Sequence, residues 1–176
     1  MPAGGSGAAV PAGAPACPGP VARLLSWGRR AHRAAFLIVH EHAAAEDVAQ
    51  EAFLAAVRHL ERFDRRRPFG PWLGAIVANR AIDCLRARDA RRESTQDPPE
   101  SPAAAQPSPT GYSEEVLAAL ARLSPEHRAV VVMRYVLEYT PGEIARALGL
   151  PRGTVNSRLR RGLDTLEAQL READLR

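Results

Sequence analysis

Between Arg152 and Arg161 the chain reads RGTVNSRLRR, and its polar side chains are of the kinds that read nucleic acid. Arginine presents a fork that fits guanine, asparagine pairs with adenine, and serine meets base edges or phosphate. On a helix, at about 100° per residue, Ser157, Arg160 and Arg161 point away from an apolar stripe of Val155, Leu159, Leu163, Leu166 and Leu170, and Asn156 and Arg158 lie on its flanks. Taken alone, an arginine-rich face is most often just solvated. The residues before it change that reading. Thr140, Pro141 and Glu143 have the types and spacing of a helix start closed by a capping box. Ile144, Ala145 and Leu148 form one apolar face, and Gly149 sits where a helix ends with positive φ. With Pro151 at the first position of the next helix, the pair forms a helix-turn-helix, whose second helix enters a DNA major groove.

A second group lies in DRRRPFGPW, residues 64–72. Arg65, Arg66 and Arg67 beside Phe69 and Trp72 combine phosphate-tracking charge with rings that stack on unpaired bases. The plainer reading is a connection whose aromatics plug the core, and Trp72 fits it, sharing a helical face with Leu73, Ile76, Val77 and Ala81. Asn79 and Arg80 interrupt that face, and the basic run ending at Arg92 extends the positive surface. A third group, Asp47, Gln50 and Glu51, falls within one turn of an amphipathic helix spanning 45–63, whose inward side is Val48, Phe53, Ala56, Val57 and Leu60. From the pattern alone it is a solvated face with acids near a helix N-terminus.

Catalytic chemistry has no foothold here. No phosphate-binding glycine loop, catalytic triad or carboxylate pair is legible, so neither catalytic residues nor a cofactor is expected. His32, His40, His42 and His59 have no cysteine or carboxylate at ligand spacing, so they read as surface histidines and no metal is expected. Cys17 and Cys84 make no disulfide framework and fit reduced thiols in a cytoplasm. No apolar run reaches the ~18 residues of a membrane span. The net charge of +4 mildly favours an anionic partner and is unevenly spread: 14 arginines against eight acids in residues 1–92, three acids and no base in 93–113.

The elements that must position these groups are helical throughout, so the expected fold class is all-α. Residues 1–20 are Ala, Gly and Pro with little to bury, and read as a disordered leader. Helical spacing then runs from Val21 to about His42, with Trp27 and Phe36 as anchors, and the first module occupies 21–92. Residues 93–111, with five prolines and no aromatic residue up to Gly111, read as a flexible linker. The second module, 112–176, opens with 113–123 and then a helix begun at Ser124–Pro125. Its Val130, Val131, Val132, Met133 and Val136 leave almost no polar side, so it is the expected centre of that module. With such a linker, the two small domains are expected to tumble independently.

In this order the segments AEDVAQEAFLAAVRHLERFD, RPFGPWLGAIVANRAIDCLR and LSPEHRAVVVMRYVLEYTPGEIARALGLPRGTVNSRLRRGLDTL resemble the sigma factors of extracytoplasmic-function (ECF) type, two-domain initiation factors of bacterial RNA polymerase in the sigma-70 family. The resemblance covers about 21–92 and 112–172. It implies a sigma region 2-like and a region 4-like domain, with core RNA polymerase and promoter DNA as partners, room for an anti-sigma factor, and a cytoplasmic location on the nucleoid. By the same resemblance Asp47, Gln50, Glu51 and Leu54 dock on the clamp coiled coil of the polymerase β′ subunit. Arg65, Arg66, Arg67, Phe69, Trp72, Asn79, Arg80 and Asp83 melt and read the −10 element, with Asn79 near a pocket for a flipped base. Thr154, Asn156, Ser157, Arg160 and Arg161 face the −35 element, and Arg152 and Arg158 hold phosphates. The family's usual extra first helix is replaced here by the leader. Two other functions remain consistent with parts of the chain: a helix-turn-helix regulator acting without polymerase, which would leave 45–90 unexplained, and a sigma-like decoy that binds partners without initiating.

Overall fold

The computed structural model describes residues 27–64, 66–94 and 111–174. The expected leader, Val21 to Leu25, Arg65 and nearly all of the linker lie outside them. Among the described residues there are seven α-helices, one 3-10 turn and no strand.

Helix α1, Gly28–Val39, ends at His40, which adopts a left-handed backbone (φ 58°) and returns its N–H to Phe36. The chain thereby reverses within two residues into α2, His42–His59. That helix begins three residues before the expected Ala45, which places Asp47 beyond its first turn and away from the N-terminal dipole. Its inward side is mostly small: Ala45, Val48, Ala49, Ala52 and Ala56 are buried, so α1 and α3 approach closely. Val57, expected inward, is 55% exposed. The α pattern stops at His59 and tightens into a 3-10 turn, Leu60–Arg62. Helix α3 then runs from Phe69–Ser94 without a break. Asn79 and Arg80 do not interrupt it; they are its exposed side. Pro71 falls in its first turn, where a missing N–H costs no hydrogen bond.

The second half contains α4, Glu114–Ala121, α5, Pro125–Tyr135, α6, Pro141–Leu148, and α7, Arg152–Asp174. Ser124 caps α5 by accepting the His127 N–H, with Pro125 just inside the start. Residues Arg128 to Met133 are all buried, as the all-round apolar pattern predicts, apart from the arginine itself. Gly162 lets α7 lie against α5: a methyl group there would come within 2.9 Å of Val131 Cγ2.

Independent tumbling of the halves is not what the fold shows. One apolar core runs through both; α5 and α6 pack on α3, and α4 and α5 on α1. Linker composition carries no information about the surfaces at either end of it, and those surfaces are complementary.

Candidate nucleic-acid interface

The turn before α6 has the geometry its residue types require. The Thr140 N–H donates to Glu143 Oε2 at 2.8 Å, and the Glu143 N–H donates to Thr140 Oγ1 at 3.3 Å. These two bonds are a closed capping box. The backbone and hydroxyl of Thr140 in turn hold the Glu143 carboxyl below the usual carboxylate range. Gly149 ends α6 with φ 65°, a conformation that costs a residue bearing Cβ about 1–2 kcal/mol. Helix α7 starts at Arg152, one residue after the expected Pro151, whose carbonyl accepts from Thr154 and Val155.

Burial along α7 divides it into two sides. Val155 is fully buried and Leu159 is 8% exposed, whereas Arg152, Asn156, Ser157, Arg160 and Arg161 are exposed. Thr154 and Arg158 are half-buried at the boundary. Arg158 lies close enough to Glu126 for its charge to act there. Burial pushes the Glu126 carboxyl up, but a hydrogen bond from Arg86 and the charges of Arg86 and Arg158 prevail and hold it low. Ser157 Oγ donates back to the Thr154 carbonyl at 3.1 Å, which leaves its lone pairs outward. Leu163 is 38% exposed, although Leu166 and Leu170 further along the same stripe are half-buried.

In the first half, Asn79, Arg80 and Asp83 are exposed along α3, and Arg66 and Arg67 are exposed in the turn before it. Arg67 pairs loosely with Asp64 at 3.8 Å; Arg65 lies outside the described residues. The aromatics behave differently. Phe69 is 7% exposed and meets Phe63 edge-on at 5.5 Å, while Trp72 lies 4.7 Å from Phe63. Phe69 is therefore a core plug, as the plainer sequence reading has it for Trp72, which is half-buried.

On α2, Asp47, Gln50 and Glu51 are exposed, and the same side carries Leu54 at 58% and Val57 at 55% exposure. Two large aliphatic side chains open to solvent beside acids and an amide form a surface suited to a protein partner. The sequence reading missed Val57. Its spacing of three from Leu54 was the available signal, although the pattern places Val57 on the inward side with Val48, Phe53, Ala56 and Leu60. Among the described residues no helix is long and apolar enough to cross a membrane, and no three His, Cys, Asp or Glu side chains converge to hold a metal ion.

Comparison with known proteins gives matches over both halves. Residues 24–92 match the family described as Sigma-70 region 2, and residues 113–166 match Sigma-70, region 4. The chain is 32% identical over 152 residues to the ECF RNA polymerase sigma factor SigW of Bacillus subtilis, covering 76% of this chain and 78% of that protein. It is 35% identical to the RNA polymerase sigma factor CarQ of Myxococcus xanthus over 143 residues, 78% of this chain and 81% of that one. With the ECF RNA polymerase sigma factor SigL of Mycobacterium tuberculosis the figures are 36% over 145 residues, 80% and 82%. Among solved structures, the fold resembles that of the sigma factor RpoE in complex with the anti-sigma factor NepR from Bartonella quintana. There the TM-score is 0.73 at 22% identity, over 85% of this chain and 94% of that one. It also resembles CnrH in complex with the cytosolic domain of CnrY, with a TM-score of 0.61 at 26% identity, over 85% and 86%.

Proposed function

We propose a division of promoter reading between the two halves of this chain, which belongs to the ECF type of the sigma-70 family of RNA polymerase sigma factors. As a member it directs RNA polymerase to promoter-specific transcription initiation, and it is a non-catalytic subunit of that machinery. Such work is done in the cytoplasm.

In this division α7 reads the −35 element through Asn156, Ser157, Arg160 and Arg161, with Thr154 at the edge and Arg152 and Arg158 on phosphates. The observation that carries it is the two-sided burial of α7: one side closed on Val155 and Leu159, the other open and lined with base-reading groups. Helix α3 reads the −10 element once its strands part, through Asn79, Arg80 and Asp83, with Arg65, Arg66 and Arg67 along the backbone. Phe69 and Trp72 support that surface from behind. The α2 patch of Asp47, Gln50, Glu51 and Leu54, with Val57 added, docks on the clamp coiled coil of the polymerase β′ subunit. An anti-sigma factor is a further expected partner, since the similarly folded sigma factor RpoE is seen in complex with the anti-sigma factor NepR, and CnrH with the cytosolic domain of CnrY.

Run-off transcription with purified core RNA polymerase on a cognate promoter tests this reading. Initiation that requires both the chain and core enzyme supports it. Promoter binding without core enzyme would favour a stand-alone regulator, and core binding without initiation would favour a decoy.

A further inference from the structure

We propose that Gly153 is a positioning residue for −35 recognition, a bare spot on the reading side of α7 where the DNA lies closer than any side chain would admit, so that the short Ser157 reaches it. The inference rests on the assignment of α7 to the −35 element and adds the depth at which that helix enters the groove.

Glycine weakens a helix relative to alanine, because its backbone has more freedom to lose, so a glycine inside α7 calls for a reason. Among the described residues, Gly111 and Gly149 adopt a positive φ, which alone favours glycine. Gly70 and Gly74 lie against the Tyr139 ring, Gly162 against Val131, and Gly28 has Phe53 Cζ at 3.9 Å. Gly153 has no positive φ, and a Cβ there would meet nothing within 4 Å. Gly142 shares both features, but it stands in α6, beside the Thr140–Glu143 box. Neither packing nor backbone conformation requires glycine at 153. What it keeps clear is space outside the fold.

That space lies where the reading groups point. At about 100° per residue, Ser157 lies about 40° from Gly153 on one side and Arg160 about 20° on the other. The buried Val155, Leu159 and Gly162 fall about 120–180° away. Gly153 is exposed and heads the central line of the open side, one turn before Ser157. A recognition helix presents its N-terminal residues to the base edges, so this line meets the groove first at 153. The major groove is about 12 Å wide, and a helix with its side chains is about 10–12 Å across. A methyl group at 153 would find no slack there, and would hold this end of α7 off by about 1.5 Å, one carbon–carbon bond.

Such a stand-off acts unequally on the side chains behind it. Hydrogen bonds need heavy atoms within about 2.7–3.2 Å, so a short side chain loses its contact. Ser157 is short and tethered, since its Oγ donates to the Thr154 carbonyl at 3.1 Å. Arg160 has a long flexible stem and can follow the retreating base. Gly153 therefore works through Ser157.

The test uses holoenzyme assembled from core RNA polymerase and the full-length chain, as wild type, Gly153→Ala, Gly153→Leu, Ser157→Ala, Gly153→Ala/Ser157→Ala and Arg160→Ala. Affinity is measured on a promoter duplex with the −35 element intact and with it scrambled. Gly153→Ala should melt no lower than wild type, yet lose about tenfold in affinity for the intact promoter, the equivalent of one hydrogen bond. Gly153→Leu, a good helix former with a larger side chain, should lose more. On the scrambled promoter both should bind like wild type. In the Ser157→Ala background the change from glycine to alanine should weaken binding less than about threefold, because the contact it spoils is already gone. Full affinity in both Gly153 variants, with Arg160→Ala weakened, would overturn the role of Gly153 and leave −35 reading by α7 standing. A lower melting temperature for Gly153→Ala would overturn it as well, by showing that the fold itself needs the glycine. An equal loss with and without Ser157 would overturn the route through that residue. Arg160→Ala and Ser157→Ala both binding like wild type would overturn the assignment of α7 to the −35 element.

Discussion

Arg128 donates to the main-chain carbonyl of Ile38, ninety residues earlier in the chain. The same guanidinium donates to Ala121 O at 2.6 Å and Leu123 O at 2.9 Å, so one cation joins the C-terminal ends of α1 and α4. Helix C-termini carry partial negative charge and unpaired carbonyls, and a cation there answers both. Burial alone would disfavour that charge, and it lowers the Arg128 pKa to about 10, still well above neutrality.

Arg128→Met should therefore destabilise the folded chain by about 2–4 kcal/mol, because three carbonyls lose a charged donor in a site that admits little water. Urea denaturation followed by circular dichroism measures it. A loss below about 1 kcal/mol would mean that the carbonyls find other partners.

His40 makes stability depend on pH. Burial, with the Arg128 charge adding to it, lowers its pKa from 6.5 to about 4. Above pH 6.5 the imidazole is neutral in both the folded and unfolded chain, and its titration costs nothing. Between pH 6.5 and about 4 only the unfolded chain takes up the proton, so stability falls as pH falls, by at most about 1.4 kcal/mol per pH unit. Below about 4 this contribution levels off. His40→Asn tolerates the left-handed backbone and should flatten the slope between pH 6.5 and 5 in thermal melts. Equal slopes for the two proteins would show that His40 titrates normally.

Core docking should depend on the α2 patch. Asp47→Arg with Gln50→Ala changes only exposed side chains, so helix content should be unchanged while pull-down of core RNA polymerase drops. Leu54→Ser and Val57→Ser, at 58% and 55% exposure, should act in the same direction. Undiminished capture by all of these would remove the patch from the interface.

Reading should separate by half. Arg160→Ala or Arg161→Ala should cost about 1–3 kcal/mol and relax preference at one −35 base if the contact is bidentate to guanine. A lost phosphate contact would instead weaken all sequences alike and lower the salt slope by about one unit. Asn79→Ala should leave −35 duplex binding intact and impair opening, and a promoter pre-melted across the −10 element should rescue it in part. Permanganate footprinting with run-off transcription distinguishes these outcomes. Wild-type initiation by both classes of variant on the duplex promoter would show that the reading residues are misassigned.

The sequence by itself determined what is settled within a turn or two of helix. The Thr140–Glu143 box, the stop at Gly149, the buried run through Met133 and the open side of α7 depend on neighbours three or four residues apart, and that spacing is visible in the chain. Family membership was legible for the same reason: DVAQEAF, PFGPWL and GTVNSRL are short local strings. Tertiary structure alone decided which apolar residues face outward and how the halves meet. Val57 fits an inward pattern, but the alanine side of α2 is what packs. Phe69 has the chemistry to stack on a base, yet Phe63 and Trp72 enclose it. Nothing near Arg128 in sequence marks it as buried, since its Ile38 partner is ninety residues away. Nothing in the helical pattern marks Gly70 and Gly74 as the place where the Tyr139 ring lies against α3. Periodicity records which side of a helix is apolar; complementarity between distant surfaces is a property of pairs, and it appears only when the chain has folded.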